Sequence, residues 1–230
     1  MRNIALIPAR GGSKRFPGKN LALLDGKPLV SWTIDAVIKS GIFDKIVFSS
    51  DDDELLKIAS KYDKIEIEQR DPSLSGDFIT TSNVLENLIN KKLLKHESYE
   101  LCGLFLPTSP FRTAEDIKRA YELLDDKTDS VISYRESRET PEFMFRKSND
   151  NNMHAVFKDS GIFNGMTRTQ DHETVYYPNG AIYLAWTEKF LKYKTFYMKN
   201  IKGYVMPLDR SLDIDHQEDL IYAKYLLTIN

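Results

Sequence analysis

Cysteine, long apolar runs and net charge are all scarce in this chain, and each scarcity excludes a class of protein. Cys102 is the only cysteine in 230 residues, so no intrachain disulfide can form and a reducing compartment is expected. It lies in the apolar run LCGLFL, where a thiol fills core and does not attack substrate. No apolar stretch approaches the roughly 20 residues that span a bilayer, so no membrane partner is expected. A strand pattern begins at Asn3, leaving no leader peptide in view, and the expected location is the cytoplasm. Lys and Arg number 32 against 34 Asp and Glu, and the resulting net charge of −2 gives no electrostatic case for nucleic acid.

Against that near-neutral background, residues 4–20 (IALIPARGGSKRFPGKN) concentrate positive charge. An apolar run at 4–7 reads as a buried strand. It enters a glycine-rich loop that carries Arg10, Lys14, Arg15 and Lys19. Gly11 and Gly12 let the backbone turn its N–H groups inward, as a phosphate cradle requires. The cations would neutralise a polyphosphate that amides alone hold weakly. A small anionic ligand, a nucleoside triphosphate, is the expectation. Two better-known loops do not fit. A Walker A loop has four residues between its glycines and a hydroxyl after Gly-Lys, whereas five residues separate Gly12 from Gly18 and Asn20 follows Lys19. The dinucleotide fingerprint GxGxxG is absent because Gly11 and Gly12 are adjacent.

The first half alternates strand patterns (3–9, 45–50, 65–68, 101–107) with amphipathic helix patterns (29–40, 53–61, 81–94). A further helix at 114–125 leads to a strand at 130–134. Such alternation predicts βαβ units and a mostly parallel sheet, with ligand bound at the carboxyl ends of the strands. The acidic run Asp51-Asp52-Asp53 reads as a capped helix start, with Asp51 the one member to watch. From about 135 to 177 the pattern breaks into polar, irregular sequence, an insertion expected to act as a lid or as an arm on a second subunit. Regular structure resumes at 180–186 and 204–207, and a helix at 217–227 closes the chain. One domain spanning 1–230 is expected.

Four segments carry a resemblance. PARGGSKRFPGKN (8–20), FLPTSPFR (105–112), YPNGAIYL (177–184) and SLDIDHQEDL (211–220) stand in the order and spacing of matching segments in the CMP-sialic acid synthetases, the acylneuraminate cytidylyltransferases. The chain resembles that family, including its CMP-legionaminic acid-type members, over nearly its whole length. The resemblance implies a three-layer, Rossmann-like nucleotidyltransferase fold. It also implies a reaction in which CTP and a nonulosonic acid give a CMP-sugar and pyrophosphate, with Mg2+ as cofactor and a homodimer formed through the insertion. Kdo-activating enzymes, sugar-1-phosphate nucleotidyltransferases and a catalytically silent nucleotide-binding relative rank below it.

By the same match, Arg10, Gly11, Gly12, Ser13, Lys14 and Arg15 would hold the β- and γ-phosphates. Lys19 would act at the α-phosphate, and Asn20 would bond the nucleotide or hold the loop. Arg70 would meet the cytosine and Thr81 the ribose, both within QRDPSLSGDFITT (69–81). Asp213 and Asp215 would bind the magnesium, since carboxylates two apart on an extended segment point to one side. That ion prefers hard oxygen ligands. Arg10, Lys19 and Asp213 would be catalytic. Arg168, with Gln170 beside it, would take the sugar carboxylate, and Asn179 and Gly180 would lie near the sugar. Arg112 could serve substrate or a structural ion pair. Two positions depart from the family: Leu106 stands where a glutamine is frequent, and Phe143 falls near a lysine position of one branch. Both changes imply a less polar acceptor, such as a deoxy, diamino nonulosonic acid.

Overall fold

The computed structural model describes residues 2–76 and 78–229. In chain order, β1 (Asn3–Pro8) precedes a two-stranded ribbon of β2 (Leu23–Leu24) and β3 (Lys27–Pro28). Then come α1 (Leu29–Ser40), β4 (Lys45–Ser50), α2 (Asp53–Ala59), β5 (Ile65–Gln69), α3 (Thr81–Leu94), β6 (Leu101–Leu104) and α4 (Ala114–Glu122). The remaining elements are β7 (Ser130–Glu136), β8 (Phe145–Lys147), β9 (Met153–Ala155), β10 (Tyr176–Trp186), α5 (Thr187–Tyr193), β11 (Ile201–Val205) and α6 (Gln217–Ile229).

A seven-stranded sheet in the order β11-β7-β10-β6-β1-β4-β5 forms the middle layer. Only β10 runs against its neighbours; β1 pairs in parallel with both β4 and β6. All six residues of β1 are buried, as a central strand covered on both faces demands. One core lies on the α1, α2 and α4 side, where Ile34 and Val37 of α1 meet Phe48 and Phe105. The other packs Val84, Leu85, Leu88 and Ile89 of α3 on Ile4, Leu6 and Val47. Each fully buried Leu or Ile contributes about 1.5–3 kcal/mol to folding. Helix α1 stops at Gly41, whose φ of 67° lies in the left-handed region that glycine adopts without strain. Cys102 is fully buried in β6, and burial pushes its thiol up to about 12, which leaves it inert.

Helices at 29–40 and 81–94 and the strand at 45–50 lie where periodicity puts them. Helix α4 ends at Glu122, short of 125, because Leu123 and Leu124 switch to N–H bonds three residues back. Strand β6 ends at Leu104, short of 107. Pro178-Asn179-Gly180 lies inside one long strand, β10. There the pairing with β7 slips between Pro178 and Tyr183, and Gly180 takes a φ of 75°. Helix α5 was not expected. The insertion is an arm between β7 and β10 whose regular part is the β8–β9 hairpin. Among the described residues no helix is long and apolar enough to cross a membrane.

Candidate active site

A cleft of about 290 Å3 opens above the carboxyl ends of β1, β5 and β6, and the charged loop closes one side of it. Arg10, Ser13, Lys14, Arg15, Lys19 and Asn20 all line it. Arg70, directly after β5, lines the facing wall with Thr81 and Leu106. The structure therefore gathers residues from four separated stretches of chain. Asp77, within the stretch expected to read the base, lies outside the described residues.

The loop's shape comes from braces that belong to the protein. Asn20, buried beneath it, donates its side-chain amide to the carbonyl of Arg10 at 3.0 Å, tying the two ends together. Gly18 turns the chain at a φ of 69°. The Gly11 N–H donates to Asp51 Oδ1 at 2.9 Å, and Ser13 N–H donates to the Gly11 carbonyl at 3.0 Å. A side chain at Gly11 would meet Asp52 Oδ2 at 2.7 Å, so the close approach requires glycine. The Gly11 N–H, expected to face phosphate, is held by Asp51 in this structure. Neither Gly11 nor Gly12 lines the cleft, so the cations and Ser13 make its positively charged wall. Asp52, and not Asp51, caps α2, accepting from the N–H groups of Glu54 and Leu55.

Arg70 is buried, and its guanidinium donates to the Ser49 carbonyl at 2.5 Å and to Ser49 Oγ at 3.3 Å. Burial lowers its pKa; Asp51 and Glu68 oppose that, and the like charge of Arg10 adds to it. Two arginines that repel each other across a cleft favour an anion between them. Thr81 is the first residue of α3. The cap is its neighbour Thr80, which exchanges bonds with Asn83, so Thr81 is left exposed on the cleft.

Asp215 enters from the segment before α6 and meets the loop directly. Its Oδ2 pairs with Arg15 Nη1 at 2.8 Å and its Oδ1 with Lys19 Nζ at 2.9 Å. Burial raises its pKa, but the Lys19 bond and the charges of Lys19 and Arg15 outweigh that and leave it below the usual range. Asp213 behaves oppositely. Surrounding protein raises its pKa, the negative charge of Asp215 adds to the rise, and a Thr108 hydrogen bond opposes it. Asp213 stays open to water because it borders a neighbouring cleft of about 340 Å3, along with Arg135, Arg138 and Tyr177. The two carboxylates thus border adjacent clefts; they do not share one wall. Ile214 between them is fixed by its N–H to the Thr108 carbonyl at 2.8 Å.

The residues expected near the sugar acid fall in different places. Asn179 lines the cleft that Asp213 borders, and its side-chain amide is bonded within the protein. Its Oδ1 accepts from Ser133 Oγ at 2.6 Å and Ala181 N at 3.2 Å, and its Nδ2 donates to Ser211 Oγ at 3.0 Å and Met206 Sδ at 3.2 Å. Gly180 does lie at the junction, where a Cβ would stand 3.6 Å from Asp213 Oδ2 and 3.8 Å from Leu106. Arg168 and Gln170 lie exposed on the arm and line neither cleft; Arg168 pairs with Asp171 at 2.7 Å. Phe143 is also on the arm, edge-on to His172. Arg112 makes no ion pair among the described residues: it is buried and donates to the carbonyls of Ala181 (2.6 Å) and Leu106 (3.4 Å), and burial lowers it to about 9.

The sequence reading passed over Arg135, Arg138 and Tyr183. Two arginines three apart at the end of a sheet strand were the available signal for the first pair. Tyr183 lay in plain view inside YPNGAIYL; burial first, then the nearby Tyr197 and Asp213, raise its phenol pKa.

A family profile described as cytidylyltransferase matches residues 4–227. The chain belongs to the cytidylyltransferase family. Among curated relatives it is 32% identical over 230 residues to the pseudaminic acid cytidylyltransferase of Campylobacter jejuni, covering 100% of this chain and 98% of that protein. It is 36% identical over 226 residues to the N-acylneuraminate cytidylyltransferase of Streptococcus agalactiae, covering 97% of this chain and 52% of that one. Among solved structures, a CMP:2-keto-3-deoxy-manno-octonic acid synthetase complexed with CTP matches with a TM-score of 0.71. That match covers 100% of this cytidylyltransferase and 99% of the other at 13% identity, a likeness of fold.

Proposed function

We propose that this cytidylyltransferase transfers CMP from CTP to the anomeric hydroxyl of a nonulosonic acid and releases pyrophosphate. The observation that carries the reading is the convergence of Arg10, Lys14, Arg15 and Lys19 with Arg70 and Asp215 on one cleft at the strand ends. The hydroxyl attacks the α-phosphorus in line as the bond to the β-phosphate breaks. The protein's task is placement and charge stabilisation. Lys14 and Arg15 hold the outer phosphates, Lys19 and Arg10 steady the charge at the centre, and Arg70 and Thr81 receive the nucleoside. Asn179 holds the segment that carries Asp213 and does not touch the sugar.

Magnesium belongs to the proposal. No group of three metal-ligating side chains occurs among the described residues, but two carboxylates completed by phosphate oxygens and water suit this ion. Burial is the main cause that raises Asp213, and the charge of Asp215 adds to it; a cation near both carboxylates would offset both. When bound by Asp213 and Asp215, the ion would polarise the phosphoryl oxygens and screen the leaving pyrophosphate.

The acceptor in this proposal has a weakly polar face, because Leu106 sits at the junction of the two clefts beside Gly180. A deoxy, diamino acid of the legionaminic or pseudaminic type suits that wall better than N-acetylneuraminate. A homodimer is proposed as well, as one 230-residue domain with a cytoplasmic location. Phe145, Met153, Phe157, Phe163 and Met166 leave apolar surface exposed on the arm, which a second copy would cover. The arm's Arg168 would then face the partner's cleft. Thermal shift with CTP, UTP, ATP and GTP tests the nucleotide assignment, since a ligand that binds only the folded state raises the melting temperature. CTP must stabilise most. Detection of a CMP-sugar by 31P NMR tests the transfer itself, and its absence with every nonulosonic acid offered counts against the proposal.

A further inference from the structure

The charged loop is partly neutralised by the protein itself. Of its four cations, Arg15 and Lys19 are both bound to one carboxylate, one to each oxygen of Asp215. Two cations on two oxygens of a single anion is the pattern a phosphate group would make with the same side chains. The carboxylate is held in place by its own segment. The Asp215 and His216 N–H groups both donate to Asp219 Oδ2, at 2.9 and 2.7 Å, and Ile214 is anchored to Thr108. Lys19 is sunk in the cleft, its side chain 12% exposed, so it has few solvent alternatives to Asp215.

We infer that Asp215 is an internal stand-in for phosphate, which a triphosphate must displace from Lys19 and Arg15 before those cations can bind it. The inference rests on the reading that this cleft takes CTP, and it adds a coupling that the reading does not contain. Displacement leaves Asp215 without partners at the moment phosphate arrives beside it, so a divalent cation has a ligand only once nucleotide is present. Metal-free triphosphate is therefore penalised, because it must break both ion pairs and bring its own negative charge beside Asp215. Binding of nucleotide and of metal strengthen each other by the same factor.

The prediction has an unusual sign. If Asp215 were a metal ligand only, Asp215→Asn would weaken CTP binding in the presence of Mg2+ and leave metal-free binding alone. If Asp215 is also the stand-in, the substitution removes the competitor, and metal-free CTP binds more tightly. The experiment is calorimetric titration of CTP, in EDTA and then in Mg2+, into the wild-type protein, Asp215→Asn, Asp215→Ala and Asp213→Asn. Circular dichroism confirms that each is folded. Asp213→Asn removes the same charge but breaks neither ion pair. Both Asp215 variants are expected to bind metal-free CTP about fivefold more tightly than wild type and to gain little from Mg2+. Asp213→Asn is expected to change metal-free binding by less than about twofold. Unchanged or weaker metal-free binding in the Asp215 variants overturns the inference, as does equal tightening in Asp213→Asn. Failure of the wild type to bind CTP in either medium overturns the nucleotide assignment itself, and the inference with it.

Discussion

Asn179→Ala separates a structural role from a substrate-binding one at a residue whose position invites the second. The side chain is 3% exposed and holds three hydrogen bonds to nitrogen or oxygen groups and a weaker one to the Met206 thioether. Its partners lie on β7, on β10 and at Ser211, two residues before Asp213. A neutral buried hydrogen bond contributes about 1 kcal/mol net, and the stranded partners lose their desolvation balance as well. Truncation is therefore expected to lower stability by about 3 kcal/mol. For a domain of this length that corresponds to a fall in melting temperature of roughly 6–12 °C. Urea titration gives the same quantity independently, with the midpoint moving and the slope unchanged. Turnover measured well below the new melting temperature should fall through a loosened Asp213 segment, with a smaller change in acceptor KM than in kcat. A melting temperature within about 2 °C of wild type, combined with a large rise in acceptor KM, would refute the reasoning and restore the amide to the sugar site.

Further predictions follow from the loop and from the α4 cap. Lys19→Ala is expected to lower kcat/KM for CTP about a hundredfold, measured by pyrophosphate release, since it removes a preorganised cation from the reacting phosphate. Gly11→Ala forces a Cβ to 2.7 Å from Asp52 Oδ2 and should raise the Kd for CTP, whereas Gly12→Ala meets nothing within 4 Å and should leave the melting temperature unchanged. Asp116 is buried; burial alone would raise its pKa, but bonds from Arg210, Thr113 and Tyr204 outweigh that and hold it below 3.8. A depressed folded-state pKa stabilises fully above the unfolded value and is lost as pH falls through the folded one. Asp116→Asn should therefore flatten the acid side of the stability curve below about pH 4, as measured by denaturation across pH 2–6.

The parallel sheet was legible because its evidence is local. The apolar run at 4–7 and the 3.6-residue pattern at 29–40 and 81–94 each encode one element without help from the rest of the chain. The cations of the first loop were legible for the same reason, and Arg70 and Thr81 came with the family resemblance. What the sequence hid depended on contacts between distant residues. Nothing near Gly11 says that Asp51, forty positions on, takes its N–H. Nothing in Pro178-Asn179-Gly180 tells a turn from a bulge inside a strand, since both call for glycine at a positive φ. Asp213 and Asp215 alternate as an extended segment should, yet the fold around Ile214 sets them at the borders of two clefts. Arg168 lines neither cleft, because it sits exposed on the arm between β7 and β10.

The central claim is CMP transfer to a nonulosonic acid, and pyrophosphate release tests it most directly. The measurement uses the wild-type protein with CTP and Mg2+ and, separately, N-acetylneuraminate, legionaminate, pseudaminate and Kdo, with Lys19→Ala as the control. Release with a nine-carbon acid, strongest with a deoxy, diamino one and nearly abolished in Lys19→Ala, is the predicted result. Release with Kdo alone, or none with any acid despite tight CTP binding, would contradict the account.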